Sequence, residues 1–371
     1  MNKRPVPAGA DTNTRPYAIF FSYLAACLFL TLYVVRKLLR NYVVLSKSTT
    51  ARPPPRKYVL LFVGLAVSSL GTTWYYMIRY FRVSYKVWMM WRSYYDLSDD
   101  MMHWGLWLRD TSLFKEAWEI AIVGNARYWW THQIFFFACA LGMALEQKGV
   151  RRGIRHTWVF MVIGQIVAIS FATNLFLIAL LLSPPAPPAP SMGGAHKRKL
   201  MGPWVINFIA IFATLFPAYL LADESYWHHK SFLPVLLIPH LALLVLPLSR
   251  AILPSKYFRE DDVGFMENLY KYLWGATIFG GALLFWRVTS LAYGYSGFWG
   301  TLSTLLEHPA VSSVGFDTVF CWVTWICWWM VQSKGIEGPE GFVKEHQDSW
   351  DNVGATSTTT TTEVDATVRR R

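Results

Sequence analysis

Charge is what this sequence has least of. Of its 371 residues only 16% are Asp, Glu, Lys or Arg, against 54% hydrophobic, and the mean hydropathy is +0.27. A chain so poor in charge is not an ordinary soluble domain. Cysteine is scarce too. Cys27, Cys139, Cys321 and Cys327 all fall in apolar runs, where each acts as a small apolar side chain, which excludes a disulfide framework. Several catalytic signatures are missing: there is no Walker loop, no G-x-S-x-G elbow and no H-E-x-x-H. Of nine histidines only His228 and His229 are adjacent, so the clustered histidines of membrane di-iron oxygenases are lacking. The stretch DLSDDMMH at 96–103 lacks the final acid of D-D-x-x-D, and no second acidic motif follows it on a helix. Magnesium-dependent diphosphate chemistry therefore has no ligand set, and no metal or other cofactor is expected.

What the sequence does have is long apolar runs. A membrane-spanning helix needs about 20 largely apolar residues, and eight segments qualify, near 17–35, 58–77, 128–146, 157–182, 203–222, 232–252, 271–292 and 311–332. The expected fold is an all-α polytopic transmembrane bundle of about eight spans, with both termini on one side. A polar N-terminus (1–16) precedes the first run, which is long, lacks an A-x-A cleavage site and reads as a retained signal anchor. The bundle occupies 17–332. Residues 78–127 read as an interfacial segment, rich in Trp, Tyr and Met but also carrying Asp110, Glu116 and Glu119, because irregular backbone is not tolerated in lipid. The loop 183–199 is a stiff proline-rich connector ending in a basic run. The tail 333–371 cannot bury a core and is expected to be disordered.

The net charge of +12 sits in short basic runs beside the spans, such as Arg36, Lys37 and Arg40 or Arg151, Arg152 and Arg155. That placement fits anionic headgroups and helix orientation, not nucleic acid. Orientation stays open: the loops after the first and third spans are strongly basic, while AYGYSGFWGTLSTLLEHPAV after the seventh has no Lys or Arg, and the rule conflicts with itself.

Ionisable residues inside a membrane are rare and face the bundle interior. The unusual polar residues in or near the spans are His132, Gln133, Gln165, Asn174, Asn207, His240, Arg287 and Asp317. Asp317 shares a helical face with Cys321 and Thr324, four and seven residues on, and that stripe should look inward. Asp317 either pairs with Arg287 or serves as acid or base of a catalytic cavity. Arg287 either snorkels or pairs with a buried acid. Glu119 and Asp110 read as headgroup-level carboxylates, or as acids of a bundle mouth if their segment folds inward. The buried amides each read as interhelical hydrogen bonds or as ligand contacts.

An apolar bundle with few carboxylates and 19 tryptophans suits protonation of an epoxide or alkene on a long hydrocarbon chain, followed by cation-driven ring closure. Aromatic faces stabilise passing carbocations and a dry cavity prevents capture by water. A transporter of a lipophilic product is the rival reading; Pro217, Pro234, Pro239 and Pro247 permit the helix kinks it would use. No internal repeat supports two inverted halves.

The segments YWWTHQIFFFACALGMALEQKGVRRGIRHTWVFMVIGQIVAISFATNLFL (128–177) and EHPAVSSVGFDTVFCWVTWICWW (307–329), set among eight spans, resemble the fungal membrane-bound terpene cyclases of the ascochlorin and ascofuranone pathways and their macrophorin-type relative. The resemblance covers roughly residues 100 to 332. It implies a meroterpenoid-pathway enzyme, an isomerase or intramolecular lyase of secondary metabolism, that cyclises a farnesyl chain on an aromatic or epoxycyclohexenone core without metal or diphosphate loss. It also implies a lipophilic prenylated substrate, the bilayer and other enzymes of the same pathway as partners, and residence in the endoplasmic reticulum membrane. On this reading the expected acid and base are Asp317 and Glu119 in unassigned order, with Asp110 third, and His132, Gln165, Asn174 and Arg287 are polar groups of the cavity. The smaller seven-span fungal meroterpenoid cyclases offer only an analogy.

Overall fold

The computed structural model describes residues 14–49, 51, 53–91, 101–184, 202, 204–259, 263–336 and 338. Most of the expected polar N-terminus, the proline-rich loop and the C-terminal tail lie outside the described residues, as does most of the acidic stretch at 96–103. The rest is all-α: α1 (Thr14–Lys47), α2 (Arg56–Trp91), α3 (Trp104–Asp110), α4 (Leu113–Ile122), α5 (Asn125–Thr131), α6 (Gln133–Ala144), α7 (Thr157–Ile166), α8 (Ile169–Leu182), α9 (Trp204–Leu220), α10 (Phe232–Ile252), α11 (Val263–Ser303) and α12 (Pro309–Gln332).

Five of these are long and apolar enough to cross a membrane: α1, α2, α10, the helix running Gly264–Leu306, and α12. Their outward faces carry unpartnered apolar side chains such as Phe29, Ile78, Phe279 and Trp286, a surface that water would penalise and lipid would not. The chain is an integral membrane protein by this measure.

The eight expected spans are thus five long helices plus shorter pieces. The expected third span is interrupted at His132 between α5 and α6 and ends in a π-helical turn, Leu145–Gly149. The fourth is broken at Val167–Ala168, where Ala168 is extended, into α7 and α8. The fifth, α9, has 17 residues with Pro217 inside. The physical reason is burial. All 14 residues of α8 are buried, so its uniform apolarity reflects packing against other helices, not contact with lipid. A helix hydrophobic all round reads the same in either setting.

Two further expectations are corrected. The segment 78–127 is not irregular backbone from its start, because α2 continues as one 36-residue helix to Trp91. Its described residues beyond Trp91 form α3, α4 and the start of α5. The expected loop after the seventh span is also mostly helical: α11 runs on to Ser303 across a kink at Gly297, whose φ of 66° lies in the left-handed region that glycine adopts without penalty.

Around α8 the bundle closes through α2, α7 and α12, with α9 and α10 paired alongside and α11 packed on α5, α6 and α9. Close approach depends on small residues. A Cβ on Gly281 of α11 would come within 2.6 Å of the Phe136 ring on α6, and Ser69 of α2 is fully buried against α8.

Candidate functional site

The break between α7 and α8 exposes polar backbone that a continuous helix would satisfy. Each helix terminus leaves up to four groups without an intrahelical partner, and in an apolar interior each must find one. Here two other helices supply them. From α1, the Tyr23 hydroxyl donates to the carbonyl of Ile166 at 2.7 Å, with the Cys27 thiol at 3.6 Å from the same oxygen. From α12, Asp317 takes the amides at the start of α8: the Ile169 N–H donates to Oδ2 at 2.9 Å and the Ser170 N–H to Oδ1 at 2.8 Å. The Ser170 hydroxyl adds a third bond to Oδ1 at 2.5 Å. Because that hydroxyl has one hydrogen and spends it on the carboxylate, the Ser69 hydroxyl is the donor in its contact with Ser170 Oγ. A carboxylate at a helix N-terminus is also favoured by the helix dipole.

Asp317 is 6% exposed, and what it meets on its open side is a cavity of ≈ 980 Å³ among α1, α2, α4, α7, α10 and α12. The stripe Ala310, Ser313, Val314 and Asp317 lines it along α12, spacings of three, four and seven that lie on one face. At 1.5 Å per residue Asp317 lies about 10 Å further along α12 than Ala310. The walls are largely apolar and aromatic, with Phe20, Tyr23, Tyr80, Phe81, Phe114 and Trp118 among them. Asp317 is the one carboxylate among the lining residues; the cations Arg15, Arg109 and Lys115 line the cavity as well.

The sequence-predicted site residues divide accordingly. Asp317 and Gln165 both line the cavity, and Gln165 is near Met161 Sδ at 3.7 Å. Asn174 does not line it; its amide donates to Ser170 O at 2.9 Å and Thr324 Oγ1 at 2.8 Å, tying α8 to α12. Thr324 and Cys321 are fully buried, so the stripe they form with Asp317 faces inward as its spacing implies. His132 is buried away from the cavity, with Nδ1 3.0 Å from Tyr128 O.

Asp110 and Glu119 do not line the cavity. Asp110 pairs with Arg109 at 3.1 Å and accepts from Trp88 Nε1 at 3.3 Å, and Glu119 pairs with Lys115 at 3.4 Å. Both acids therefore act as counter-ions to cavity-lining cations. The pairing of Asp317 with Arg287 is also corrected. Arg287 lies over the Tyr219 ring at 4.1 Å and reaches Asp223 at 3.7 Å, while Asp317 has its donors from α8. Asp223 sits below the usual carboxylate range, chiefly because the Ser225 N–H donates to it, with Arg287 a smaller contribution.

Sequence reasoning missed Tyr23, Ser170 and Trp118, and gave His240 no role. An Ala-Ile-Ser step inside an apolar run carries no signal that a carboxylate 147 residues further along binds it. His240 was visible as a histidine within a span, but only the fold brings it to the cavity wall beside Trp118. Comparison with protein-family models, with curated proteins and with solved structures found no match for this chain.

Proposed function

We propose that this protein is a membrane-embedded cyclase that protonates a terminal epoxide or alkene on a farnesyl chain of a meroterpenoid and lets the resulting cation close rings, without metal. The observation that supports this reading best is Asp317 as the lone carboxylate on a large, aromatic, apolar cavity. Oδ1 accepts two donors and Oδ2 one, so Oδ2 keeps a lone-pair position for a proton. Once that proton leaves, three donors hold the carboxylate that remains, which is the preorganised stabilisation acid catalysis requires. The ring faces of Phe20, Tyr23, Tyr80, Phe81 and Trp118 would each favour a desolvated cation by about 0.5 to 2 kcal/mol. The substrate would partition in from the bilayer, and the endoplasmic reticulum is the compartment such a pathway uses.

The transporter reading has less support. A transporter built on a discontinuous helix keeps the half-helix N-terminus for its cargo's anionic group, and here the N-terminus of α8 is filled by the chain's own Asp317.

The test is turnover in membranes from a host lacking such pathways, with EDTA present. A prenylated phenol bearing a terminal epoxide is supplied beside its unepoxidised analogue, and products are read by mass spectrometry and NMR. A cyclised isomer of either substrate is expected. No isomer from either, with the protein demonstrably in the membrane, would overturn the reading.

A further inference from the structure

Ring closure that starts with a proton must end by giving one up, and the cavity holds few groups able to take it. Three donors hold the Asp317 carboxylate left by the first step and weaken it as a base, and both lining tyrosines with assigned bonds are donors, Tyr23 to Ile166 O and Tyr80 to Leu113 O. The side chains of Arg15, Arg109 and Lys115 are cationic and carry only donors, so none of them can take a proton.

His240 differs from all of these. It projects from α10 into the same cavity, one residue after Pro239. Its ring is held edge-on by two aromatic side chains of α4, Trp118 with centroids 5.4 Å apart and Phe114 at 6.1 Å. Nδ1 lies 2.9 Å from the Leu236 carbonyl. A carbonyl oxygen can only accept, so Nδ1 carries the hydrogen, and in the neutral ring the lone pair is on Nε2. Nε2 has no hydrogen-bond partner among the described residues, and it is not sealed from the cavity as His132 Nε2 is sealed in the core. The two histidines share one local design, an Nδ1–H donated to the carbonyl four residues back, but only His240 opens onto the cavity.

We propose that His240 Nε2 is the base of this cavity and removes the final proton of the cyclisation. This rests on the cyclase reading above. The step balances as an isomerisation. Asp317 Oδ2–H gives its proton to the epoxide oxygen or the terminal alkene carbon, and the chain's π electrons form the new C–C bonds. Nε2 then takes a proton from the carbon beside the last cation, and the released C–H electron pair becomes a C=C bond. The imidazolium returns its proton to water at the cavity mouth and Asp317 regains one, so nothing is oxidised or reduced.

Two measurements separate this inference from the reading it rests on. The first needs no turnover: the protein in membranes is treated with a lipophilic methylating ester, methyl 4-nitrobenzenesulfonate, and methylation is quantified by peptide mass spectrometry. His240 should be methylated at Nε2 at least about ten times faster than His132, whose chemistry matches but whose ring is sealed. Equal or slower modification of His240 would overturn an open Nε2, irrespective of any cyclase activity. The second is product analysis of His240→Phe, which keeps an aromatic ring against Trp118, and His240→Gln. Loss of a general base lowers turnover by about 10²- to 10⁴-fold, and the remaining flux should shift to other alkene isomers or water-captured alcohols. An unchanged rate and product in His240→Phe would overturn the base assignment while leaving the cyclase standing. If wild type cyclises nothing while His240 is rapidly methylated, the cyclase reading fails, and the assigned proton step with it, but the open base remains.

Discussion

The Oδ1 atom of Asp317 on α12 accepts both the backbone N–H and the hydroxyl of Ser170 on α8, at 2.8 and 2.5 Å. One residue thereby caps a helix in the middle of the bundle and presents a carboxyl group to the aromatic cavity, and the two duties are separable by mutation.

Replacing Asp317 by Asn should abolish cyclisation, because an amide has no proton to give, and should also weaken the bundle, because its NH2 cannot accept from the α8 amides. Ser170→Ala is the control. It removes one donor to the carboxylate and the acceptor of the Ser69 hydroxyl, a loss of about 0.6 to 1.7 kcal/mol for each by the scale of interhelical hydrogen bonds in membrane proteins, and should leave detectable turnover. Thermal stability in detergent and product formation, measured on both variants, check the separation. Near wild-type turnover by Asp317→Asn at normal abundance would remove Asp317 from the chemistry.

Glu119→Gln and Asp110→Asn should retain activity within a few-fold, since each carboxylate is a counter-ion outside the cavity lining. A loss beyond about a hundredfold in either, with protein abundance unchanged, would return that residue to the catalytic machinery.

Gly281→Ala should destabilise the contact of α11 with α6. The new methyl would stand 2.6 Å from the Phe136 ring, and overpacking of this kind costs about 1 to 3 kcal/mol. Adding Phe136→Leu should recover part of the loss, an interaction measurable as a double-mutant cycle.

His308 makes a pH-dependent cap. Its Nδ1 accepts from the Ala310 N–H at 3.1 Å at the start of α12, which only the neutral ring can do. Burial first, and the nearby Arg127 charge second, hold its pKa below the usual value. A folded-state pKa below the unfolded one means stability is fully present above about pH 6.5 and is lost as pH falls through the folded value. His308→Asn keeps a good N-cap without titrating, so its melting temperature should vary less with pH in that window. Glu307 beside it, held low mainly by its hydrogen bond from Arg127, follows the same sign in a lower window, beginning near pH 4.3.

The sequence conveys the class of this fold better than its number of crossings. Spacing alone identifies the inward stripe of Asp317, Cys321 and Thr324, because helical periodicity is local. The break at Val167–Ala168 is invisible, because neither proline nor glycine marks those two positions and the capping carboxylate arrives from another helix. Asp110 and Glu119 read from the sequence as headgroup-level carboxylates or as partners of Asp317 in the chemistry. What distinguishes them is a neighbouring cation one or four residues away, a pairing that spacing permits but does not require. His240 stood out as a histidine within a span, yet its role depends on which nitrogen faces the cavity, and only the Leu236 carbonyl decides that.

The broken α7–α8 pair also sets an order on biogenesis. Its freed carbonyl at Ile166 is answered by α1, already in the membrane when the break is inserted, but its freed amides at Ile169 and Ser170 wait for Asp317 on α12, 147 residues after Ser170. Until α12 enters, the start of α8 holds bare amides in an apolar environment. A nascent chain stopped before residue 317 is therefore a natural client for quality control, and the cavity wall that Asp317 completes is missing until α12 arrives.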